Sequence, residues 1–321
     1  SNDTATASPK GPLSRTRGFG CATGDSSFGY FGGGEGNNNE NLSALDRLDY
    51  SNDTATTVDK GPLSYSLRQS AASSSLANAN PPFSPATINY PEGTVATSNS
   101  GYFIAGSPGG GDRSVLDRID YANDTATAVA RGPLSAGKRY LAATSNGSSG
   151  YAAGGLEHPS PVVSTVERFD YVNDSSTALV KGPLSTATQK MGGTGNENFG
   201  YYGGGTVPAS PNLVSTVHRI DYSNDTATAS TKGPLSGARR RMAATGNQNF
   251  GYYAGGYNYP ISPGSITTVD RVDYSNDTAN ASPKGNLSNP QYGMSAAGNA
   301  DFGYIIGGYD PDGPTYAQSK I

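Results

Sequence analysis

Residues 215–236 read STVHRIDYSNDTATASTKGPLS, and close copies of this stretch recur along the whole chain. The tetrapeptide GPLS, or its variant GNLS, begins at six glycines: Gly11, Gly61, Gly132, Gly182, Gly233 and Gly285. A second marker, Gly-Tyr followed by small residues, has its tyrosine at Tyr30, Tyr102, Tyr151, Tyr201, Tyr252 and Tyr304. Self-similarity with a period of about 50 residues indicates a repeat architecture.

Each repeat has the pattern of four short strands. In the fourth copy, residues 191–194 and 199–202 are separated by a Gly-Asn turn, and residues 215–222 alternate apolar and polar side chains as a half-buried strand does. The turn at residues 223–225 leads into a Thr/Ala strand that ends before Gly233. No segment shows a helical period. Four antiparallel strands per repeat predict a β-propeller or an open solenoid.

The two ends of the chain favour the propeller. Residues 315–321 align with the Ser-Thr-Val-Asp-Arg-Ile of other copies, so they predict a third strand without a fourth. Residues 1–6, SNDTAT, match the missing turn and fourth strand. The sequence therefore predicts an all-β, six-bladed β-propeller of four-stranded antiparallel blades, in which the amino-terminal strand completes the carboxy-terminal blade and leaves almost no free edge.

We interpret residues 1–321 as a single domain. The blades are predicted at about residues 15–60, 65–131, 136–181, 186–232, 237–284, and 289–321 together with 1–10. The interval from the GPLS glycine to the marker tyrosine is longer in the second copy than in the other five, which predicts an insertion within residues 66–92, before the first strand of that blade.

The composition limits the functional classes. The chain has 44 Gly, 21 Pro, 21 Tyr, one Cys and a formal net charge of −4. The acidic balance argues against sequence-independent binding of nucleic acid, which needs a basic face. No apolar run is long enough for membrane insertion. The chain begins without Met, and we expect it to be a processed or excised piece.

Three features of the repeat resemble the kelch family of β-propellers. A basic residue precedes the first strand, a hydrophobic strand ends in Gly-Gly, and a tyrosine closes the third strand; Arg241, Gly255-Gly256 and Tyr274 carry this pattern in the fifth copy. The tryptophan usual in kelch units is absent. The motif RIDYSNDTATA, followed by KGPLS, also resembles repeats in structural tail or fibre proteins of marine cyanophages. That resemblance implies a virion or extracellular location.

Variation between the copies predicts where binding occurs. The connections between fourth and first strands, and between second and third strands, vary most and leave a four-stranded meander on the same face, where ligands are commonly bound. Unconstrained drift of these loops is the alternative. The candidate residues on this face are Phe83, Tyr90, His158, Arg239, Arg240, Tyr257, Asn258, Tyr259 and Tyr309.

Catalytic chemistry finds little support in the sequence. With two histidines and one cysteine, the chain offers no ordinary zinc cluster, and the copper site of galactose oxidase, a kelch-like propeller, has no matching residues. We expect no catalytic residues, no cofactor and no metal. The predicted function is a non-enzymatic adhesin or attachment module that binds a host-surface glycan or protein. A purely architectural role against neighbouring virion proteins is the first alternative, and a carbohydrate-active enzyme is the second.

Overall fold

The computed structural model describes residues 3–75, 99–109, 111–159, 161–210, 212–259, 264–310 and 317–319. Five sheets of four antiparallel strands follow one another along the chain, each with its strands in sequence order from first to fourth. Each third strand ends in a short 3-10 turn, at Tyr50–Asn52, Tyr121–Asn123, Tyr171–Asn173, Tyr222–Asn224 and Tyr274–Asn276. Among the described residues, no helix has the length and apolar character needed to cross a bilayer.

The strands of the first two blades are β1 (Cys21–Gly24), β2 (Phe28–Gly32), β3 (Leu45–Asp49), β4 (Val58–Lys60), β5 (Ala71–Ser74), β6 (Ser100–Gly106), β7 (Arg113–Asp120) and β8 (Val129–Arg131). The third blade adds a two-stranded ribbon to its meander and contains β9 (Lys138–Arg139), β10 (Ala142–Ser145), β11 (Ser149–Ala153), β12 (Leu156–Glu157), β13 (Val166–Asp170) and β14 (Leu179–Lys181).

The fourth and fifth blades are β15 (Gly192–Gly195), β16 (Phe199–Gly203), β17 (Val217–Asp221), β18 (Ser230–Lys232), β19 (Ala243–Gly246), β20 (Phe250–Ala254), β21 (Val269–Asp273) and β22 (Ser282–Pro283). The sixth repeat contributes a hairpin of β23 (Ser295–Gly298) and β24 (Gly303–Ile306). This hairpin packs between β19 of the fifth blade and β1 of the first.

The prediction of six four-stranded blades is therefore wrong, because the described residues form five such blades and a two-stranded hairpin. Residues 3–10 also contain no strand, contrary to the prediction of an amino-terminal strand that completes a blade. The predicted register of residues 315–321 was wrong. Ser319 accepts a hydrogen bond from the Leu13 amide at 2.7 Å, as Ser215 does from Leu235 at 2.9 Å. Ser319 is therefore the equivalent of Ser215, and residues 315–321 do not contain the Arg-Ile of a third strand.

The insertion in the second blade also differs from the prediction. The first strand, β5 at Ala71–Ser74, lies inside the stretch that was predicted to precede it. The extra residues fall between β5 and β6, within residues 75–99. Ser75 and Asn99, the described residues next to this segment, lie at the end of the strands opposite the second-to-third connections, because successive connections of an antiparallel meander alternate between the two ends of the strands. Residues 71–74, AASS, resemble residues 142–145, AATS, and this likeness could have located the strand.

A recurring aspartate joins neighbouring repeats. Asp277 in the turn of the fifth blade accepts hydrogen bonds from Tyr201 at 2.9 Å and Arg219 at 2.7 Å, both in the fourth blade, and pairs with Lys232 at 3.2 Å. The equivalent residues, which we call the clasp aspartates, are Asp3, Asp53, Asp124, Asp174, Asp225 and Asp277. Charge-assisted hydrogen bonds of this kind are stronger than neutral ones.

The glycine of each GPLS tetrapeptide lies against the next repeat. A Cβ on Gly61 would stand 1.9 Å from the Ala126 carbonyl oxygen, which is shorter than any real contact. The Gly61 amide also donates to the Asp124 carbonyl at 2.9 Å. Only glycine permits this approach of two backbones. The glycine that begins all six tetrapeptides is thus explained by packing between repeats.

Candidate functional site

The first strands begin around a central channel, and one residue of each repeat contributes to a ring around it. The amide of each ring residue donates to the carbonyl of the ring residue in the preceding repeat, at 2.7–2.9 Å, so that six hydrogen bonds close a circle through Phe19, Gln69, Tyr140, Lys190, Arg241 and Gly293. We call these the ring residues. The channel beside them has a volume of about 70 Å³.

The ring residues have an unusual backbone conformation. Five of them are not glycine, yet their φ angles lie between 55° and 62°, and Gly293 has φ 69°. The left-handed region costs an L-residue on the order of 1 kcal/mol, and glycine adopts it freely. Gly293 shows that glycine fits the position, so the five larger side chains are present at a conformational cost.

A row of aromatic rings extends from the channel on the face of the second-to-third connections, which we call the loop face. Tyr259 stacks on Tyr257 at 6.4 Å between centroids, and Tyr257 lies 5.2 Å from Tyr292. Tyr292 stacks on Tyr309 at 5.7 Å, and Tyr309 lies 4.8 Å from Phe19. Tyr259 is 64% exposed, whereas Tyr309 is 9% exposed. The row therefore rises from the channel to solvent.

Three cations lie over rings of this row or over Tyr140 beside the channel. The guanidinium of Arg241 is 4.7 Å from the Phe19 centroid, that of Arg240 is 5.4 Å from Tyr257, and the ammonium of Lys190 is 4.6 Å from Tyr140. Such cation–π contacts are favourable, and more so where water is excluded. We call Lys190, Arg240 and Arg241 the cation cluster.

The cation cluster has no carboxylate within ion-pair distance among the described residues, and the buried Nε atoms of Arg240 and Arg241 have no hydrogen-bond partner there. The pKa of Lys190 is lowered to about 8, first by burial and then by the positive charges of Arg241, Arg240 and Arg139. Of these neighbours, Arg139 is paired with Asp112 at 3.2 Å. The cluster is thus a concentrated positive charge whose own repulsion an anion would relieve.

The structure brings together four of the residues that the sequence singled out. Arg240, Tyr257 and Tyr309 belong to the aromatic and cationic group, and Tyr259 is its exposed end. Asn258 lies between the two loop tyrosines, and its amide donates to the Gly264 carbonyl at 2.8 Å.

Arg239 does not belong to this surface. Its side chain is 1% exposed and pairs with Asp270 at 3.0 Å, the equivalent of the buried Lys138–Glu167 pair at 2.5 Å in the third blade. Arg239 is therefore part of the blade interior. The prediction failed because three consecutive arginines give no sign of which one points inward.

His158 is exposed at the end of β12, and none of its contacts places it with the cation cluster. Phe83 and Tyr90 lie outside the described residues. The ends of their segment, Ser75 and Asn99, lie on the side opposite the loop face.

Sequence reasoning missed Phe19, Tyr140, Lys190 and Tyr292 as candidates. A signal was present, because the position two residues before each first strand differs in every copy and reads Phe, Gln, Tyr, Lys, Arg and Gly. The second histidine, His218, is buried and hydrogen-bonded to Ser185 at 3.0 Å, and burial lowers its pKa to about 4. In the part of the chain that the structure describes, no three His, Cys, Asp or Glu side chains group together as metal ligands.

Comparison with known proteins bears on the fold. No protein-family model and no curated protein matches the sequence. The solved structure of YjhT is similar to this chain with a TM-score of 0.72, over 97% of this chain and 95% of that one, at 12% sequence identity. The chain has a β-propeller fold. At this identity the likeness concerns the propeller fold alone. It carries no information on the function of the cation cluster or of the aromatic row.

Proposed function

We propose that this propeller is a non-enzymatic binding module that recognises an anionic saccharide on a host surface through the channel mouth on its loop face. The observation that carries the proposal is the cation cluster, which lies over aromatic rings and has no carboxylate partner among the described residues. A virion or extracellular setting belongs to the proposal and is supported by the resemblance of the repeat to phage structural proteins.

The chemistry of the site favours an acidic sugar over a neutral one. Tyrosine rings offer flat, rigid faces with hydroxyl groups at their edges, which suit the apolar face and hydroxyls of a sugar. Guanidinium groups bind carboxylate or sulfate oxygens in a fixed geometry. The site supplies both within one patch, at Tyr257, Tyr259 and Arg240.

The strained ring residues support a role for the side chains at this site. A side chain held in the left-handed region costs stability, and such costs are typical of functional sites. Lys190 and Arg241 are two of the five residues that carry this cost, and they are also members of the cation cluster. Packing of the channel alone would be served as well by glycine, as at Gly293.

The test is a glycan array that contains neutral, sulfated and carboxylated saccharides. We expect binding to the charged glycans, and a loss of at least about tenfold in affinity for the double variant Lys190→Gln/Arg241→Gln, since each charged contact contributes about 1.5–3 kcal/mol. Arg15→Gln is the matched control, because it removes an exposed arginine that pairs with Asp59 on the first blade. Equal binding of neutral and charged glycans would refute the proposal.

If the protein binds no glycan on the array, that result favours the architectural alternative. In that case the loop face would contact a neighbouring virion protein, and the double variant would weaken that assembly instead.

A further inference from the structure

The channel space beside the ring residues is too small for a saccharide ring. Its volume is about 70 Å³, whereas sites that hold whole small molecules have about 300–1,000 Å³. Lys190 and Arg241, two members of the cation cluster, nevertheless line this space. The part of a ligand that fits the channel is therefore a group of a few atoms that carries a negative charge.

We propose that the channel binds a tetrahedral ester oxyanion, the sulfate or phosphate ester at the end of a saccharide. We call the space between Gln69, Tyr140, Lys190 and Arg241 the ester seat. The inference rests on the proposed function and names the chemical group through which the saccharide is recognised. The ester group alone enters the channel, while the sugar ring lies outside it, beside the aromatic row of the loop face.

The guanidinium of Arg241 is flanked by three aromatic rings. Its centre lies 4.7 Å from the centroid of Phe19, 5.7 Å from that of Tyr140 and 5.8 Å from that of Tyr292. Stacking on rings uses the face of a guanidinium and leaves its N–H groups as donors. Among the described residues, no carboxylate lies within ion-pair distance of Arg241. Its N–H groups are therefore available to an anion in the channel.

Lys190 supplies the second charge from the neighbouring blade. The Arg241 amide donates to the Lys190 carbonyl at 2.9 Å, so the two cations leave adjacent positions of the ring. The positive charge of Arg241 contributes, after burial, to the lowered pKa of Lys190. An anion placed between the two side chains relieves this repulsion and stabilises both charged forms.

The polar side chains of the ester seat come from four consecutive blades. Gln69, Tyr140, Lys190 and Arg241 are joined in this order by three hydrogen bonds of the backbone circle. They therefore surround a bound group on several sides. A carboxylate has two oxygen atoms in one plane, whereas a sulfate or phosphate ester has three acceptor oxygens arranged about its ester bond. The tetrahedral group fits this arrangement better, with its ester bond directed out of the channel toward the sugar.

Apolar side chains line the same space. Leu141, Met191, Met242 and Met294 border the channel, and each is 5–6% exposed. Charges interact more strongly beside apolar groups than in open water. Contacts between an ester oxyanion and the two cations are therefore stronger in the ester seat than contacts of the same kind on the loop surface.

The test uses methyl sulfate and methyl phosphate, which carry the two ester groups without a sugar. Either ester, added to the intact chain at pH 7 and constant ionic strength, should shift the amide resonances of Gln69, Lys190 and Arg241 in a saturable way. We expect a dissociation constant in the millimolar range or below, and the two arms distinguish a sulfate from a phosphate ester. Acetate, the planar control, should bind at least about tenfold more weakly, because its oxygens reach fewer donors.

Protein variants locate the ester seat. Lys190→Gln and Arg241→Gln should each weaken binding of the methyl ester at least about tenfold, because each removes one charged contact. Arg15→Gln, which removes an exposed arginine that pairs with Asp59 on the first blade, should bind the ester unchanged. Competition in the unmodified chain keeps the test decisive if a variant fails to fold. There the methyl ester should displace any sulfated or phosphorylated saccharide that the glycan array identifies.

Binding of acetate as tight as that of both esters, or shifts that persist in both variants, would overturn the proposal. Binding of an acidic glycan that neither ester displaces would also overturn it, while saccharide recognition itself would stand. Binding of a methyl ester at the ring residues, with no binding of any glycan, would support the ester seat and refute the proposed function.

Discussion

Lys190 is the member of the cation cluster whose charge changes near neutral pH. Its pKa is lowered to about 8, first by burial and then by the neighbouring arginines. Arginine side chains remain charged throughout this range. An anion bound beside Lys190 stabilises the ammonium form, so binding is coupled to the charge of this one residue.

We predict that affinity for an anionic saccharide falls as the pH rises through 8. Below pH 7 Lys190 is cationic and its full contribution is present; above pH 9 it is neutral, and up to about tenfold in affinity is lost. Titration calorimetry between pH 6.5 and 9.5 measures this, and proton uptake near pH 8 should accompany binding. The Lys190→Gln variant should show a weaker affinity that is nearly flat over the same range. A wild-type profile that matches the variant's would contradict the assignment.

At the scale of the element, the clasp aspartates hold each blade to the next. Asp277 receives a tyrosine, an arginine and a lysine, while Asp53 receives a tyrosine and a lysine. The two residues therefore form an internal comparison in which one charged hydrogen bond differs.

We expect Asp277→Asn to lower the free energy of unfolding by about 1–3 kcal/mol more than Asp53→Asn, because it also leaves Arg219 without its acceptor. Denaturant titrations of both variants give the comparison. Equal losses would mean that the arginine contributes nothing to the clasp in the folded chain.

The strand pattern of the repeats was readable from the sequence because apolar alternation and turn residues fix it locally. Residues 217–221 form β17, and the strands of every complete blade pair in their sequence order. Two errors came from non-local information. The register of residues 315–321 depended on a backbone contact between Ser319 and Leu13, and the location of the extra residues depended on which side of β5 they followed.

The candidate site was only partly predictable for a related reason. Tyr257 lies in a variable loop, and Arg240 lies just before a first strand. Their residue types in these variable connections identified both as candidates, and the structure places them in contact. Lys190 and Tyr140 come from different blades, and only the closure of the channel places them 4.6 Å apart. The inward orientation of Arg239 was likewise set by Asp270, which is distant in sequence.

At the scale of the whole molecule, the amino-terminal residues link the last complete blade to the first. The Gly285 amide donates to the Asp3 carbonyl at 2.9 Å, the Ala7 amide donates to the Asn286 carbonyl at 2.8 Å, and Arg271 donates to the Asp3 carboxylate at 2.7 Å. Further along, the Gly11 amide donates to the Asp53 carbonyl at 2.8 Å. This segment contacts both neighbours although it contains no strand.

Deletion of residues 1–10 should therefore lower the melting temperature by about 5 °C or more, well beyond the effect of trimming an unattached tail. Calorimetry of the deleted chain measures the change. Removal of Ser1 and Asn2 alone is the control, since it retains Asp3 and should have little effect. An unchanged melting temperature after the longer deletion would show that these contacts contribute nothing to the propeller.

The circle of six backbone hydrogen bonds has a consequence for how such a protein can diversify. The ring is joined by hydrogen bonds between main-chain atoms, so these bonds form whichever side chain each ring position carries. Phe, Gln, Tyr, Lys, Arg and Gly all occupy the position within this one chain. Substitutions at the six ring positions can therefore change which ligand is recognised at this end of the channel without changing the fold.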